Sequence, residues 1–179
     1  MSWEASMVAL FEDLEQQASG LRLAERDVEV AERTAAEYAQ VSLASRLHAS
    51  LGHDLQLRLM GGRRVGGRLA RVGEDWLLVV DGTSEWIVRH QGLASVAGVS
   101  GRADSVETWS VLDRLSLRSV LRGLAADADE AVVHLADDQQ LRGRIGRVGL
   151  DFLELHLGEA ARTGHVVPFS AVVALQGRS

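Results

Sequence analysis

Residues 67–76 read GRLARVGEDW, and residues 143–152 read GRIGRVGLDF. Six of these ten positions are identical, and Leu69/Ile145 and Trp76/Phe152 exchange like for like. A segment spelled twice in a chain of 179 residues restricts the fold to one that makes the same supersecondary unit twice. The length suits one domain or two small ones.

The repeat extends beyond these ten residues. SLASRLHASLG, from Ser42, carries Leu43, Leu47 and Leu51 at helical spacing and ends on Gly52. Its counterpart SLRSVLRGLAAD, from Ser116, carries Leu117, Leu121 and Leu124. Each helix is followed by strand-like alternation. Leu55, Leu57 and Leu59 share one face, and Val133 and Leu135 match them. Val65, Gly67 and Leu69 continue on one face of a second strand, whereas Val72 falls on the wrong parity, so a bulge is expected before it. WLLVV, EWIVR and LASVAG complete the first copy, and FLELHL, HVVPF and AVVALQG complete the second. Five short strands with frequent turns bury a face most simply by curling into a small, strongly bent barrel.

Upstream, Met7, Leu10, Leu14, Gln17, Leu21, Ala24, Val28, Ala31, Ala35, Tyr38 and Ser42 alternate spacings of three and four, the seam of a coiled coil or long packed helix. Gly20 interrupts the run and leaves a helical hairpin open as the other reading. The predicted fold class is therefore α+β. A long N-terminal helix or helical hairpin (1–41) precedes a first helix-plus-barrel unit (42–98), a linker rich in Gly, Ser and Asp (99–115), and a second helix-plus-barrel unit (116–179).

The formal net charge is −6, which argues against a general polyanion binder. The acidity lies at the two ends, however, and the middle of the chain is slightly basic. All 19 basic residues are arginine, and there is no cysteine, so disulfides and thiolate metal sites are excluded. The start MSWEASMVALFEDLEQ is acidic and amphipathic, unlike a secretory signal, and no apolar run suits a membrane span; a cytoplasmic location is expected. His48, His53, His90, His134, His156 and His165 show no metal-ligand spacing, and GGRRVGG lacks the Lys-Ser/Thr of a phosphate loop. No catalytic constellation is present, so neither enzyme activity nor a cofactor or metal is expected.

The order of helix, alternating strand, bend glycine (Gly67, Gly143), Asp-aromatic turn (Asp75-Trp76, Asp151-Phe152) and short last strand resembles the Sm-like fold, and within it the bacterial RNA-chaperone branch, the Hfq family. A looser similarity is to an uncharacterised actinobacterial family labelled as transcriptional regulators. The Sm-like resemblance implies SH3/Sm-like barrels, a ring of such barrels, and binding of single-stranded RNA. The family's Lys-His pair is replaced in register by Arg89-His90-Gln91 and Pro168-Phe169-Ser170, and Leu77 and Leu153 stand where the Sm-type asparagine would be.

Two functions follow as expectations. The first is a non-enzymatic RNA-binding protein whose phosphate contacts come from Arg63, Arg64, Arg68, Arg71 and Arg89, with Trp76 or Trp86 as a stacking platform. Arg142, Arg144 and Arg147 repeat part of that cluster. The second is a protein-interaction adaptor, a homo-oligomer assembled through its N-terminal helix, that docks a protein partner and binds no nucleic acid.

Overall fold

A computed structural model of the protein describes residues 33, 35–105, 109–127, 130–158 and 164–178. The chain divides into two compact units, Met1–Val41 and Ser42–Ser179. In the first, residues 35–38 are helical and give way to a turn at Ala39 and Gln40, with Val41 non-helical. The 7–42 seam is thus not one continuous helix, and a coiled coil running to Ser42 is corrected. The remainder of that expected helix lies outside the described residues.

In the second unit α1 (Leu43–His48) begins at Ser42, whose hydroxyl accepts the Ser45 N–H at 3.0 Å. Only Leu47 of its three spaced leucines is fully buried; Leu43 and Leu51 are exposed. Then come β1 (Asp54–Leu59), β2 (Arg64–Val72), β3 (Trp76–Asp81), β4 (Ser84–Arg89), one 3-10 turn and β5 (Leu93–Ala97). The second copy runs α2 (Leu117–Asp127), β6 (Glu130–Leu135), β7 (Gln140–Val148), β8 (Phe152–His156), β9 (His165–Pro168), a 3-10 turn and β10 (Val172–Arg178). Strict alternation shapes β1, where Leu55, Leu57 and Leu59 are buried and the residues between them exposed. The parity change in β2 is a register shift between Leu69 and Arg71, and β7 repeats it between Ile145 and Val148.

The conserved spelling of the repeat is a turn with its aromatic ring folded back. Gly73 N–H donates to the Trp76 carbonyl at 2.8 Å, and Gly149 N–H to the Phe152 carbonyl at 2.9 Å. In each, a Cβ on the glycine would collide with the aromatic side chain. Gly67 and Gly143 lie against the carbonyls of Val80 and His156, where a Cβ would again overlap backbone. Ala cannot replace glycine at either bend without moving the neighbouring strand.

The strands form one ten-stranded antiparallel sheet in the order β5-β1-β2-β3-β4-β10-β6-β7-β8-β9. This corrects the expectation of two SH3/Sm-like small barrels in tandem. The fifth strand of each copy returns to its own first strand, as β5 to β1 and β10 to β6. Neither copy then closes on itself. Instead β4 pairs with β10 of the other copy, from Val88↔Ala174 to Ser84↔Arg178. Backbone groups on the outer edge of β4 need partners, and the neighbouring repeat supplies them, so the sheet stays open.

The cores follow the same logic. Val173 and Ala174 of β10 pack with Leu55, Leu69 and Trp86 of the first copy. Trp76 of β3 packs with Leu117, Leu121 and Leu153 of the second, with Leu78 and Ile87 against them. The linker is tied down where it is described. His48 lies 2.8 Å from Asp104 and 3.4 Å from Asp113, with the Trp109 ring stacked on it at 5.2 Å. Further on, Asp75 Oδ1 accepts the Leu117 N–H at 2.7 Å, and Trp76 Nε1 donates to the Leu115 carbonyl at 2.8 Å.

Candidate nucleic-acid interface

The alternation that buries Leu57 and Leu59 turns Arg58 outward, and the same rule on β2 exposes Arg64 and Arg68. In the ladder Arg58 stands directly opposite Arg64, Gln56 opposite Gly66, and Asp54 opposite Arg68. The absent side chain at Gly66 lets the Gln56 amide lie across β2, since a Cβ there would collide with it. Beyond the bulge Arg71 is exposed, opposite Leu78, and Arg68 faces Val80. Arg58, Arg64, Arg68 and Arg71 form no ion pair among the described residues.

Two of the five arginines singled out in the sequence are engaged elsewhere. Arg63 is partly buried and its guanidinium sits 3.8 Å from Asp138, spanning the β1–β2 and β6–β7 turns. Arg89 donates from Nη1 to the Phe169 and Val172 carbonyls and from Nη2 to Gln91 Oε1, at 2.7 Å for the last. It clamps β4 to the 3-10 turn before β10 and does not belong to the open arginine face. Conversely, Arg58 was missed as a site residue. Its signal was present, because LQLRL places it outward between two inward leucines.

The expected aromatic platform is also corrected. Trp76 and Trp86 are both buried, Trp76 in the second core and Trp86 against the His134 ring at 4.9 Å. The face therefore offers the guanidinium groups of Arg58, Arg64, Arg68 and Arg71, with Asp54 and Gln56 beside them, rather than these two indole rings. The second copy differs in charge. Arg142, Arg144 and Arg147 are exposed there, with Arg144 opposite Glu130. The position of the Arg58–Arg64 pair is taken by His134 and Gln140, so the like-charged pair belongs to the first copy alone.

Burial governs the titration of two histidines, His134 and His90. Desolvation holds the His134 imidazole below its ordinary value, and the Arg63 charge lowers it further. Desolvation also lowers His90, against smaller opposing contributions from the Asp75 charge and the Trp76 backbone. Asp113 is lowered, mainly because the Ser110 hydroxyl hydrogen-bonds to its carboxylate.

No protein-family model matches the chain, and no curated protein matches it. Among the described residues no helix is long and apolar enough to cross a membrane.

Proposed function

We propose that the protein binds single-stranded RNA through the β1–β2 face, with Arg58, Arg64, Arg68 and Arg71 contacting phosphates. The observation that carries this reading is the cross-strand pair Arg58↔Arg64. Like charges directly opposite one another destabilise a sheet by about 0.2–1 kcal/mol, and no carboxylate among the described residues neutralises them. A phosphate seated between two guanidinium groups removes the repulsion and gains charge-assisted hydrogen bonds. With Trp76 and Trp86 buried, recognition rests on the backbone of the ligand and is tolerant of base sequence.

Filter binding to a single-stranded RNA at two salt concentrations tests this. Four neutralised phosphates give a slope of about −0.7 per phosphate in log affinity against log salt, so affinity falls roughly fiftyfold between ~50 and ~200 mM salt. Absence of retention at the lower salt removes the proposal. An affinity that ignores salt removes it as well.

A further inference from the structure

The ladder between β4 and β10 is the seam between the two copies, and it walls one side of a cleft of about 540 Å³. Sites for small molecules commonly measure roughly 300–1,000 Å³. Ile87 of β4 comes to the cleft from the first copy, and Leu124 of α2, Ile145 of β7 and Leu175 of β10 come from the second. All four belong to the second core. Ile145 and Leu175 are buried and Ile87 and Leu124 half-buried, so that core is reached through the floor of the cleft.

The repeat shows why the space is open. In the second copy the pairs Ala131↔Gly143 and Val132↔Arg142 stand where the first has Leu55↔Gly67 and Gln56↔Gly66. Leu55 is fully buried in the first core, and Ala131 in its place lacks the isopropyl group. On the far wall Gly177 pairs with Glu85, and a Cβ on Gly177 would meet nothing within 4 Å. Arg142 stands at the position of Gly66. The second copy therefore leaves room and adds a charge where the first carries a buried leucine and a glycine.

The mouth is charged with both signs. Glu85, Glu130 and Arg142 all line the cleft, and none forms an ion pair among the described residues. Two strands, β10 and β6, separate β4 from β7. At about 4.8 Å per strand, the backbones carrying Glu85 and Arg142 lie up to about 14 Å apart. That span leaves room between the two side chains for a ligand bearing both charges. The geometry points to a free apolar α-amino acid, its ammonium on Glu85, its carboxylate on Arg142 and its branched side chain on the floor of Ile87, Leu124, Ile145 and Leu175. A guanidinium grips a carboxylate through two parallel hydrogen bonds. A purely anionic ligand is repelled by Glu85 and Glu130, and a purely cationic one leaves Arg142 unserved. The site draws on other strands than the β1–β2 face and does not rest on RNA binding.

Titration of the full isotope-labelled chain with L-leucine, followed through its amide chemical shifts, tests this. Saturable shifts are expected at Leu124, Ala131 and Gly177. L-alanine, which lacks most of the apolar contact, is expected to bind at least about tenfold more weakly. Isoamylamine and isocaproate, which each keep one charged end of leucine, are expected to do the same. Ala131→Leu restores the side chain of the first copy and is expected to abolish the shifts. Gly177→Leu fills the cleft from the opposite wall and is expected to do likewise; the amide spectrum of each variant reports that it is folded. Arg142→Gln is expected to weaken L-leucine about tenfold and leave isoamylamine unchanged, and Glu85→Gln to weaken L-leucine equally and leave isocaproate unchanged. The inference is overturned if L-leucine gives no saturable shift up to about 10 mM, beyond the weak end of specific binding. It is equally overturned if isoamylamine or isocaproate binds as tightly as L-leucine, or if saturation survives in both filled variants.

Discussion

His134 shows how much the surroundings of one residue decide. It sits on β6 at a position whose counterpart in the first copy is the exposed Arg58, yet it is buried beside Trp86, with Nε2 3.4 Å from Gln176 Oε1. Its Nδ1 has no hydrogen-bond partner among the described residues. Burial and Arg63 favour the neutral ring, so the folded pKa lies below that of the unfolded chain. The sign follows directly. Above about pH 6.5 both states are neutral at this residue and stability is level; as pH falls below that value the unfolded chain takes up the proton first and stability drops. His90 acts in the same direction and Asp113 only in the more acidic range. Thermal midpoints are therefore expected to hold from pH 8 to 7 and decline toward pH 5. His134→Gln, neutral throughout, is expected to make the decline shallower. Equal declines in the two proteins would assign the effect elsewhere. None of this was legible in the sequence, because the neighbours that bury His134 come from β4 and β10.

At the scale of elements, alternation and helical spacing placed most strands correctly, and even the bulge in β2 was readable from the parity of Val72. Those signals are local, and they report which side of a strand is apolar. The helices were read less well, since Leu43 and Leu51 share a face with Leu47 but only Leu47 reaches the core. What the repeat could not reveal is that its two Asp-aromatic turns have different neighbours. Asp75 serves the first N–H of α2, one of the four that a helix leaves without an internal partner. Asp151 has no side-chain partner among the described residues. Asp75→Ala is therefore expected to cost about 0.5–2 kcal/mol, the usual value for a helix cap. Asp151→Ala at low protein concentration is expected to stay within about 0.5 kcal/mol. Urea unfolding of both variants separates the two, and equal losses would mean that the capping bond contributes nothing.

For the whole molecule, the deciding feature is where the edges go. Hydrogen bonds along an edge are made by the backbone, so residue types do not name the partner strand. Two self-sealed barrels and one continuous sheet predict nearly the same apolar pattern, and the sequence favoured the wrong one. The residue that did mark the seam was read as a ligand contact. Arg89 reaches the Phe169 and Val172 carbonyls from β4, holding the two copies together. Arg64 is exposed on β2 and forms no ion pair among the described residues. These placements give the two arginines opposite expected behaviour. Arg89→Ala removes the part-buried hydrogen bonds to the Phe169 and Val172 carbonyls and is expected to lower stability by about 1–3 kcal/mol. Lysine at that position recovers only part of the loss, because it lacks the planar fork that spans two acceptors. The salt slope of RNA binding is expected to be unchanged in either variant. Arg64→Ala is expected to leave unfolding within about 0.5 kcal/mol of wild type, or to stabilise slightly by relieving the Arg58 repulsion. It is also expected to reduce the salt slope by about 0.7. Unfolding curves and salt titrations on the same three variants decide the assignment. If Arg89→Ala flattened the salt slope at full stability, the clamp would be a phosphate contact after all, and the seam would be held by its backbone ladder alone.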